Sequence, residues 1–295
     1  MSRLDARLGI WLLVAALAVA FVLLGSGLDM AYVIPRRLTR LAAIGVAGVC
    51  IGCSSVIFQT LTGNRILTPA IMGYEAVYLL FQALLILLML GYSWLLHRWL
   101  LRDGRQNVYL LLLVGLVLSL VLSTLTQFIQ LKVSPGEFSI LQGFNYASFN
   151  KAQPLQVAYS AVLAALACLV VRRTLPVLDV LALGRDQAIV LGVDHLRAVS
   201  VQMAVIAVLV AVSTSLIGPT AFMGVFVANL TYTLARTFRH RVTLPLASGV
   251  AMALFIVAQY LVEQAFNYNM SVNILINLVC GAYFLALMTR TRGTA

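Results

Sequence analysis

The chain has 295 residues, of which 62% are hydrophobic and only 10% are charged, and its mean hydropathy is +1.01. An ordinary soluble domain carries about 25% charged residues, so this composition excludes a soluble globular protein and indicates an integral membrane protein. The net charge of +11 would suggest a nucleic-acid partner for a soluble protein, but here the basic residues stand at the ends of apolar segments. At such positions they set membrane topology, so we expect membrane lipid around the chain and no nucleic-acid partner.

Nine apolar segments follow one another along the chain. Most of them are long enough to cross a hydrocarbon core, which needs about 20 helical residues. The period-two alternation of an outer-membrane barrel is absent, so the backbone must satisfy its hydrogen bonds as helices. The sequence thus predicts an all-α polytopic membrane protein with a single transmembrane domain over residues 1–295. The segments lie near residues 8–28, 38–61, 74–101, 107–130, 154–171, 196–217, 221–235, 243–262 and 271–289.

The basic residues divide unevenly between the two sides that this succession of segments defines. If the N-terminus is cytoplasmic, 15 of the 20 Lys and Arg residues lie on the cytoplasmic side, as the positive-inside bias prefers. The C-terminus is then cytoplasmic as well. The outer residues are Arg36, Arg37, Arg40, Lys132 and Lys151.

The second apolar segment has a face of small residues, formed by Gly45, Gly48 and Gly52 with Cys53 and Ser55. Small residues let another membrane helix approach closely, which is how helices associate when burial gives no driving force. This face predicts a helix packed inside the bundle. Polar and turn-forming residues frame the segment in a fixed order. They are Arg37, Arg40, Gln59, Asn64 and Pro69.

The third apolar segment is of unusual length, because Tyr74 to Arg102 spans 29 residues. That is enough for one long helix or for two half-spans. A single crossing would place Arg98, Arg102 and Arg105 outside and invert every later segment, against the charge bias. Two half-spans avoid this inversion.

Neutral polar stripes mark the segment near residues 107–130 and the last segment. Their members recur every three or four residues, so each stripe occupies one face of a helix. Polar residues in membrane helices usually face the bundle interior or a wet cavity, but Ser and Thr also serve interhelical packing. Both interpretations stay open from the residues alone. The stripes are Ser119, Ser123, Thr126 and Gln130, and Asn273 and Asn277.

The stretch VLALGRDQAIVLGVD, residues 180–194, is built like a short soluble helix between two long apolar runs. Gly184 precedes it, Gly192 lies near its end, and the charged pair Arg185 and Asp186 opens it. Two interpretations fit equally well: an interfacial helix that rests on lipid headgroups, and a helix that docks onto a partner protein.

The sequence contains no motif that would couple transport to an energy source. Its two lysines belong to no G-x-x-x-x-G-K-[ST] phosphate loop, and its three histidines are far apart in predicted cytoplasmic loops. Glu75 and Glu263 are the only acidic residues near a membrane interior. The C-x-x-C of Cys50 and Cys53 lies in an apolar run, where a thiol stays neutral and serves packing. We therefore expect no catalytic residue, no metal and no cofactor in this chain.

Four separated motifs resemble, in the right order, the FecCD-type permeases of ABC importers, which carry iron–siderophore complexes, haem or cobalamin. Residues 37–69 are similar to the pattern R-x-P-R, a glycine-rich helix, Q and N-P-L-x-x-P. Residues 181–194 are similar to A-L-G-x-x-x-A-x-x-L-G. Residues 218–245 are similar to G-x-I-x-F-V-G-L followed by D-H-R-x-x-L-P, and residues 281–284 to G-x-P-x-F. The resemblance extends from about residue 30 to the C-terminus.

The chain departs from the family pattern at several of these positions. Thr39 replaces the proline of R-x-P-R, and Arg65 replaces the proline of N-P-L. Ala228 and Asn229 stand where the family has Pro and His. The segments NRILTP, LVGL and ASFN together resemble the branch that serves catecholate-type siderophores in systems with two different permease chains.

The resemblance implies the ABC importer permease fold, with about ten transmembrane helices, and the family interval that holds the third and fourth is longer than the one here. Either this pair is shortened, or the sequence omits an external loop with parts of the flanking helices. The omission is favoured, because every later motif keeps its side of the membrane. It assigns the loop over about residues 174–195 to coupling with an ATPase, the two polar stripes to the passage at a permease dimer interface, and two outer arginines to docking of a binding protein. The implied coupling residues are Leu183, Gly184, Arg185, Asp186, Ala188, Leu191 and Gly192. The implied docking residues are Arg37 and Arg40.

The function implied is that of a non-enzymatic membrane subunit that carries a ferric siderophore across the inner (plasma) membrane of a bacterium, with both termini cytoplasmic. The implied partners are a second homologous permease chain, expected in a heterodimer rather than a homodimer, two ATPase subunits that bind ATP and Mg, and an extracytoplasmic substrate-binding protein. The alternative is an ion-coupled secondary transporter of an organic solute, which usually shows ionisable groups at mid-membrane. A membrane-bound enzyme is a weaker alternative still.

Overall fold

Within the residues that the structure describes, the chain folds into nine helices. The structure is a computed structural model, and it describes residues 3–23, 33–69, 108–132, 149, 153–220, 222–267 and 270–292. The shortened pair of helices predicted over 74–102 lies outside these ranges. The helices are α1 (Arg3–Leu23), α2 (Val33–Thr62), α3 (Val108–Lys132), α4 (Pro154–Leu181), α5 (Arg185–Val190), α6 (His195–Ile217), α7 (Met223–Ala235), α8 (His240–Gln264) and α9 (Val272–Arg292).

Five of the described helices are long and apolar enough to cross a membrane, namely α1, α2, α4, α6 and α8. Helix α2 has 30 residues and is therefore about 45 Å long. Helix α7 is apolar but has only 13 residues, so it extends over about 20 Å. The prediction of an all-α polytopic membrane protein is confirmed.

Local sequence signals explain where several of these helices begin. Helix α4 begins at Pro154, where the fixed φ of proline suits a first helical position and its missing N–H costs nothing. Helix α6 begins after Asp194, whose side chain accepts a hydrogen bond of 3.2 Å from the backbone N–H of Arg197. Such a cap satisfies one of the N–H groups that the first turn leaves without a partner.

Helix α2 is the centre of the bundle, with α4, α6, α7 and α8 packed around it. Its residues from Ala47 to Gln59 are almost all buried, including Ile57 and Phe58, which are fully covered. Helices α1 and α4 lie at the periphery and expose large apolar side chains such as Leu12 and Leu166. In a membrane such faces contact lipid chains, so their exposure is consistent with a spanning bundle.

A close backbone contact joins α2 to α8 at two glycines of the small-residue face. A Cβ atom added to Gly52 would lie 2.6 Å from the carbonyl carbon of Ala247 and from the backbone nitrogen of Ser248. A Cβ atom on Gly48 would lie 2.6 Å from the Met252 side chain and 2.9 Å from the Met252 backbone nitrogen. Any larger residue at Gly52 must therefore push two backbones apart, which a rotamer change cannot avoid.

The small-residue face is narrower than the sequence predicted. A Cβ atom on Gly45 would meet no atom within 4 Å, so Gly45 takes no part in the close contact. Ser55 faces a different neighbour, since a Cβ atom on Gly224 of α7 would lie 2.6 Å from its hydroxyl oxygen. The Cys53 sulfur lies 3.6 Å from the Ser248 hydroxyl oxygen, within the α2–α8 contact.

The α2–α8 contact predicts that a Gly→Ala substitution changes stability differently at Gly52 and at Gly45. Gly52→Ala should lower the free energy of unfolding by about 1–3 kcal/mol, because the new methyl group overpacks a backbone contact. Gly45→Ala should leave stability unchanged or raise it slightly, since Ala has the better helix propensity and the space is free. Thermal unfolding of the purified chain in detergent micelles measures both. Equal melting temperatures for the two variants would contradict the packing described here.

Candidate functional site

Polar side chains close both ends of the α2–α8 pair. The two helices are antiparallel, because Arg40 near the start of α2 contacts Glu263 near the end of α8. At the other end, Thr60 of α2 contacts His240, the first residue of α8. Arg40 and Thr60 are separated by about 30 Å along a helix, which is the thickness of a hydrocarbon core. We call the end that carries α5 the α5 end, and the opposite end the far end.

At the far end, Arg37, Arg40, Gln259 and Glu263 form a group that we call the Glu263 cluster. Glu263 Oε1 accepts hydrogen bonds of 2.8 Å from Arg40 Nη1 and from Gln259 Nε2. Its Oε2 lies 3.5 Å from Arg37 Nη2, and Arg37 Nη1 donates to the Phe21 carbonyl of α1 at 2.8 Å. The Glu263 side chain is only 2% exposed. The cluster thus ties three helices together through a buried ion pair.

The two arginines predicted to dock a binding protein, Arg37 and Arg40, both contact the Glu263 carboxylate of their own chain. Their docking role stays a prediction. Glu263 is one of two acidic residues that the sequence places near a membrane interior, but no sequence pattern predicts its ion pair with the arginines. The separation explains this, since Arg40 and Glu263 are 223 positions apart in the sequence.

At the α5 end, Thr60, Asp179 and His240 form a group that we call the His240 cluster. Asp179 Oδ1 accepts from the His240 backbone N–H at 2.9 Å and lies 2.6 Å from its Nδ1. A carboxylate can only accept, so Nδ1 carries a proton directed at Asp179. His240 Nε2 lies 2.7 Å from the Thr60 hydroxyl oxygen. The one Thr60 hydroxyl proton is shared between this nitrogen, which accepts in a neutral imidazole, and the Val56 carbonyl oxygen 2.9 Å away.

The His240 cluster connects the end of α4 with α2 and α8. Asp179 lies on the last turn of α4, a few residues before α5 begins. The expectation that His240 lies in a solvated loop was wrong, because it is the first residue of α8 and is only 2% exposed. The H-R-x-x-L-P motif that begins at His240 marks this histidine in the sequence, whereas no motif marks Thr60 or Asp179.

The predicted amphipathic helix is present but shorter than residues 180–194. Helix α5 comprises Arg185–Val190, six residues, and helix α4 extends to Leu181. Gly184 and Gly192 bound it with φ angles of +99° and +82°, a backbone region that only glycine enters without strain. Within the predicted coupling loop of about 174–195, the part before Ala182 thus belongs to α4.

Large apolar side chains are exposed in the second half of α5 and directly beside it. Val190 is 85% exposed, and Leu183, Ile189 and Leu191 are each at least half exposed. Ala188 is fully buried against the chain's own helices, so it anchors α5 and offers no surface to a partner, contrary to the expectation. Arg185 and Asp186 are exposed at its start. Ile189 and Val190, which the sequence analysis did not select, form the centre of this surface.

The predicted polar stripes are only partly described. Ser119 is half-buried and donates to the Gly115 carbonyl of its own helix at 2.8 Å, whereas Ser123 is exposed. Asn277 Nδ2 donates to Asn273 Oδ1 at 3.0 Å, and the buried Asn277 Oδ1 accepts no bond from the described residues. The side chains of Thr126 and Gln130 lie outside the described part. That the stripes face a passage stays a prediction.

A turn after α2 brings together positions where the chain departs from the family pattern. The Arg65 carbonyl accepts from Gln59 Nε2 at 2.7 Å and from Asn229 Nδ2 at 3.1 Å. Its guanidinium group lies 5.1 Å from the ring centre of Tyr232 and 4.9 Å from that of Phe238, within cation–π range. Arg65 thus fastens this turn to α7 and to the turn that follows α7.

The described residues contain no group of three or more His, Cys, Asp or Glu side chains that could hold a metal ion. The polar clusters at the two ends are instead built from ion pairs and hydrogen bonds. These clusters can hold helix ends together. Helix α5 can offer exposed apolar side chains to another protein.

The chain is similar throughout to permeases of iron uptake systems. The sequence profile of the FecCD transport family matches residues 8–102 and 92–290. The petrobactin import system permease protein YclO of Bacillus subtilis is 32% identical over 280 residues, which are 88% of this chain and 89% of the relative. FatC of Bacillus anthracis, also a petrobactin import permease, is 31% identical over 88% of this chain and 79% of its own length. FepG of Escherichia coli, a ferric enterobactin permease, is 28% identical over 85% and 80%.

The arrangement of helices is that of a solved ABC transporter. A structure described as an inward-facing conformation of a metal-chelate type ABC transporter superimposes with a TM-score of 0.85. The match covers 98% of this chain and 99% of that chain at 20% sequence identity. It confirms the predicted ABC importer permease fold.

The Glu263 cluster predicts a large loss of stability from one small change. Glu263→Gln should lower the free energy of unfolding by about 3–5 kcal/mol, because it removes the carboxylate that the buried Arg37 and the half-buried Arg40 share. Gln264→Glu, at the exposed neighbouring position, is the control and should change little. Adding Arg37→Gln and Arg40→Gln to Glu263→Gln should recover part of the loss, since no buried charge then remains. A melting temperature unaffected by Glu263→Gln would show that the ion pair does not hold the far end.

Proposed function

The chain belongs to the FecCD transport family, and from this premise we propose that it is the permease subunit of a bacterial ABC importer for ferric siderophores. The observation that carries the proposal is α5, a short helix with an exposed apolar surface between two glycine turns. The relatives named for petrobactin and enterobactin support a ferric siderophore as the solute. The catecholate branch remains our expectation within that class.

In this proposal α5 docks into a separate ATPase subunit, which binds ATP and Mg, and this chain carries out no catalysis itself. Leu183, Ile189, Val190 and Leu191 supply the apolar contact, and Arg185 and Asp186 orient it. The glycine turns allow α5 to move as a unit relative to α4 and α6. Movement at the end of α4 reaches α2 and α8 through the hydrogen bonds of the His240 cluster. Packed helices respond to such a push by discrete rigid-body shifts.

The distribution of arginines supports an α5 end on the cytoplasmic side of the inner membrane, with both termini cytoplasmic. Of the arginines whose side chains the structure describes, nine lie toward the α5 end and three lie at the far end. The nine are Arg7, Arg65, Arg172, Arg173, Arg185, Arg197, Arg236, Arg239 and Arg241. The three are Arg36, Arg37 and Arg40.

The far end then faces the extracytoplasmic binding protein, and we assign Arg37 and Arg40 to its docking. Because both arginines bind Glu263 in the free chain, acidic residues of the binding protein must compete with that carboxylate. Docking in this form would loosen the far-end connection between α2 and α8. Such an exchange couples arrival of the binding protein to the helix pair.

The passage for the solute is assigned to the interface with a second permease chain, a heterodimer being favoured. Helices α3 and α9 carry the polar stripes and expose much of their apolar surface, including Leu120 and Leu278. A neutral lining with Ser123 and Asn273 suits a bulky chelate, because it offers hydrogen bonds without trapping a charged or metal-bearing solute.

The alternative is a secondary transporter driven by an ion gradient. Glu263, Asp179 and His240 lie in the two clusters near the membrane boundaries, whereas a carrier of that class usually holds such groups at mid-membrane. Co-purification separates the two classes, because an importer permease brings an ATPase chain with it and a secondary transporter does not.

Disrupting the apolar surface of α5 should uncouple transport from ATP hydrolysis. We expect Val190→Asp to reduce ATP-dependent uptake of ferric siderophore at least about tenfold, because a charge replaces a side chain whose burial contributes about 1.5–3 kcal/mol. Val190→Leu is the matched control and should retain uptake. Cells lacking the native permease, tested with ferric petrobactin, ferric enterobactin and a ferric hydroxamate, provide the measurement. Normal uptake by Val190→Asp would refute the docking role of α5, and uptake of none of the three chelates by the parent chain would refute the solute class.

A test of the docking role must remove the charges of Arg37 and Arg40 without leaving the buried Glu263 carboxylate unpaired. The triple variant Arg37→Gln, Arg40→Gln and Glu263→Gln should associate more slowly with the binding protein and with a weaker dependence on salt, because rim charges mainly set association rates. Glu263→Gln alone keeps both arginines and should associate at least as fast as the parent. Surface-immobilised nanodiscs allow both rates to be measured. A triple variant with the parent's rate and salt response would show that docking uses other residues.

A further inference from the structure

A cavity of about 730 Å³ lies between α1, α2, α4 and α8, near the α5 end. Its size is within the range of small-molecule sites. Residues of the His240 cluster form part of its wall, through Asp179 and His240. The polar stripes of α3 and α9 do not reach it, since no described residue of either helix lines it. The function proposed above therefore makes no use of this cavity.

Three arginines from three different helices line the cavity, namely Arg7 of α1, Arg172 of α4 and Arg241 of α8. No carboxylate of the described residues lies within ion-pair distance of any of them. Arg7 Nη2 donates to the Arg241 carbonyl at 3.2 Å, which joins the starts of α1 and α8. Asp179 is the one carboxylate among the described lining residues, and it already accepts from His240. The cavity therefore has a surplus of positive charge.

Apolar side chains form the remaining walls of the cavity, among them Val49, Val171, Leu175 and Leu244. Outside it, the lipid-facing sides of α1 and α4 expose residues such as Leu8 and Leu169. A molecule that fills the site must therefore combine an anionic group with an apolar chain. The apolar chain can extend out of the cavity against the exposed apolar side chains of α1 and α4.

We propose that this cavity binds the headgroup of an anionic phospholipid such as phosphatidylglycerol. Arg7, Arg172 and Arg241 hold the phosphate diester, and the first part of an acyl chain lies against the apolar wall between α1 and α4. Basic pockets between membrane helices bind anionic headgroups in this manner, and arginines near helix ends lie at headgroup level. Inorganic phosphate is also an anion, but it has no apolar part that would contact the apolar wall. An acidic segment of a partner protein is the other alternative that the test must exclude.

The site itself does not rest on the proposed transport function. Only its assignment to the cytoplasmic leaflet does, because that follows from the orientation of the α5 end. A lipid bound here contacts α1, α4 and α8 at once, so it adds a connection between the peripheral helices and the central α2–α8 pair. Loss of lipid binding with normal uptake, or the reverse, would separate the two proposals.

Native mass spectrometry of the full chain in neutral detergent tests the site. Phosphatidylglycerol should bind and remain bound under activation that removes phosphatidylcholine with the same acyl chains. Arg172→Gln with Arg241→Gln should weaken phosphatidylglycerol binding about 25-fold, which corresponds to about fivefold for each arginine near a membrane surface. Arg173→Gln with Arg239→Gln is the matched control, because both side chains are exposed neighbours that do not line the cavity. The control should bind like the parent.

A charge-conserving variant guards against a folding artefact. Arg172→Lys with Arg241→Lys should keep most of the binding, and photoactivatable phosphatidylglycerol should cross-link to peptides of α1, α4 or α8. Equal losses in the Gln pair and the control pair would overturn the proposal, since binding would then be a general effect of surface charge. Displacement by excess inorganic phosphate would identify a free-phosphate site instead. Loss of all lipid binding when ATPase subunits are added would assign the arginines to a partner protein.

Discussion

The contact between the backbones of α2 and α8 at Gly52 is the constraint on which the rest of the structure depends. At this distance a single Cβ atom does not fit, so the two helices have one register and one separation. That register brings Arg40 to Glu263 at the far end and Thr60 to His240 at the α5 end. A shift by one residue would turn these side chains away from each other by about 100°. The polar clusters and the glycine contact therefore require one another.

Charged groups in this bundle lie where their cost is lowest. A charge at the bilayer centre is expensive, and a buried ion pair stabilises only when its members are hydrogen-bonded. The Glu263 cluster meets that condition with two arginines, an amide and a backbone carbonyl, and the His240 cluster has short bonds on both ring nitrogens. Between the two ends, α2 is packed mainly through apolar and small residues. The two charged clusters thus lie near the membrane boundaries.

The elements that sequence could predict were those encoded locally. Composition and segment length were sufficient for the all-α membrane class. The stretch at residues 180–194 was sufficient to predict a short helix there, and four motifs in the right order were sufficient for the family. Gly48 and Gly52 were correctly assigned to close packing, but Gly45 was not, because residue type does not reveal which part of a helix face meets a neighbour. The partners of Arg37, Arg40 and His240 depend on which helices lie side by side, which no local pattern contains. Ala188 was misplaced because six residues are too few for periodicity to separate a buried face from an exposed one.

The glycine contact and the two end clusters also restrict how this chain can move. Two helices joined at the middle and at both ends cannot slide along each other by a fraction of a turn without breaking all three connections. A displacement that begins at α5 must therefore tilt α2 and α8 together. The two polar ends of this helix pair are about 30 Å apart. A few degrees of tilt moves the far end by an ångström or two, with no local unfolding. Helices α2 and α8 thus move as one rigid body. Changes in helix packing during transport must then occur between this pair and the helices around it.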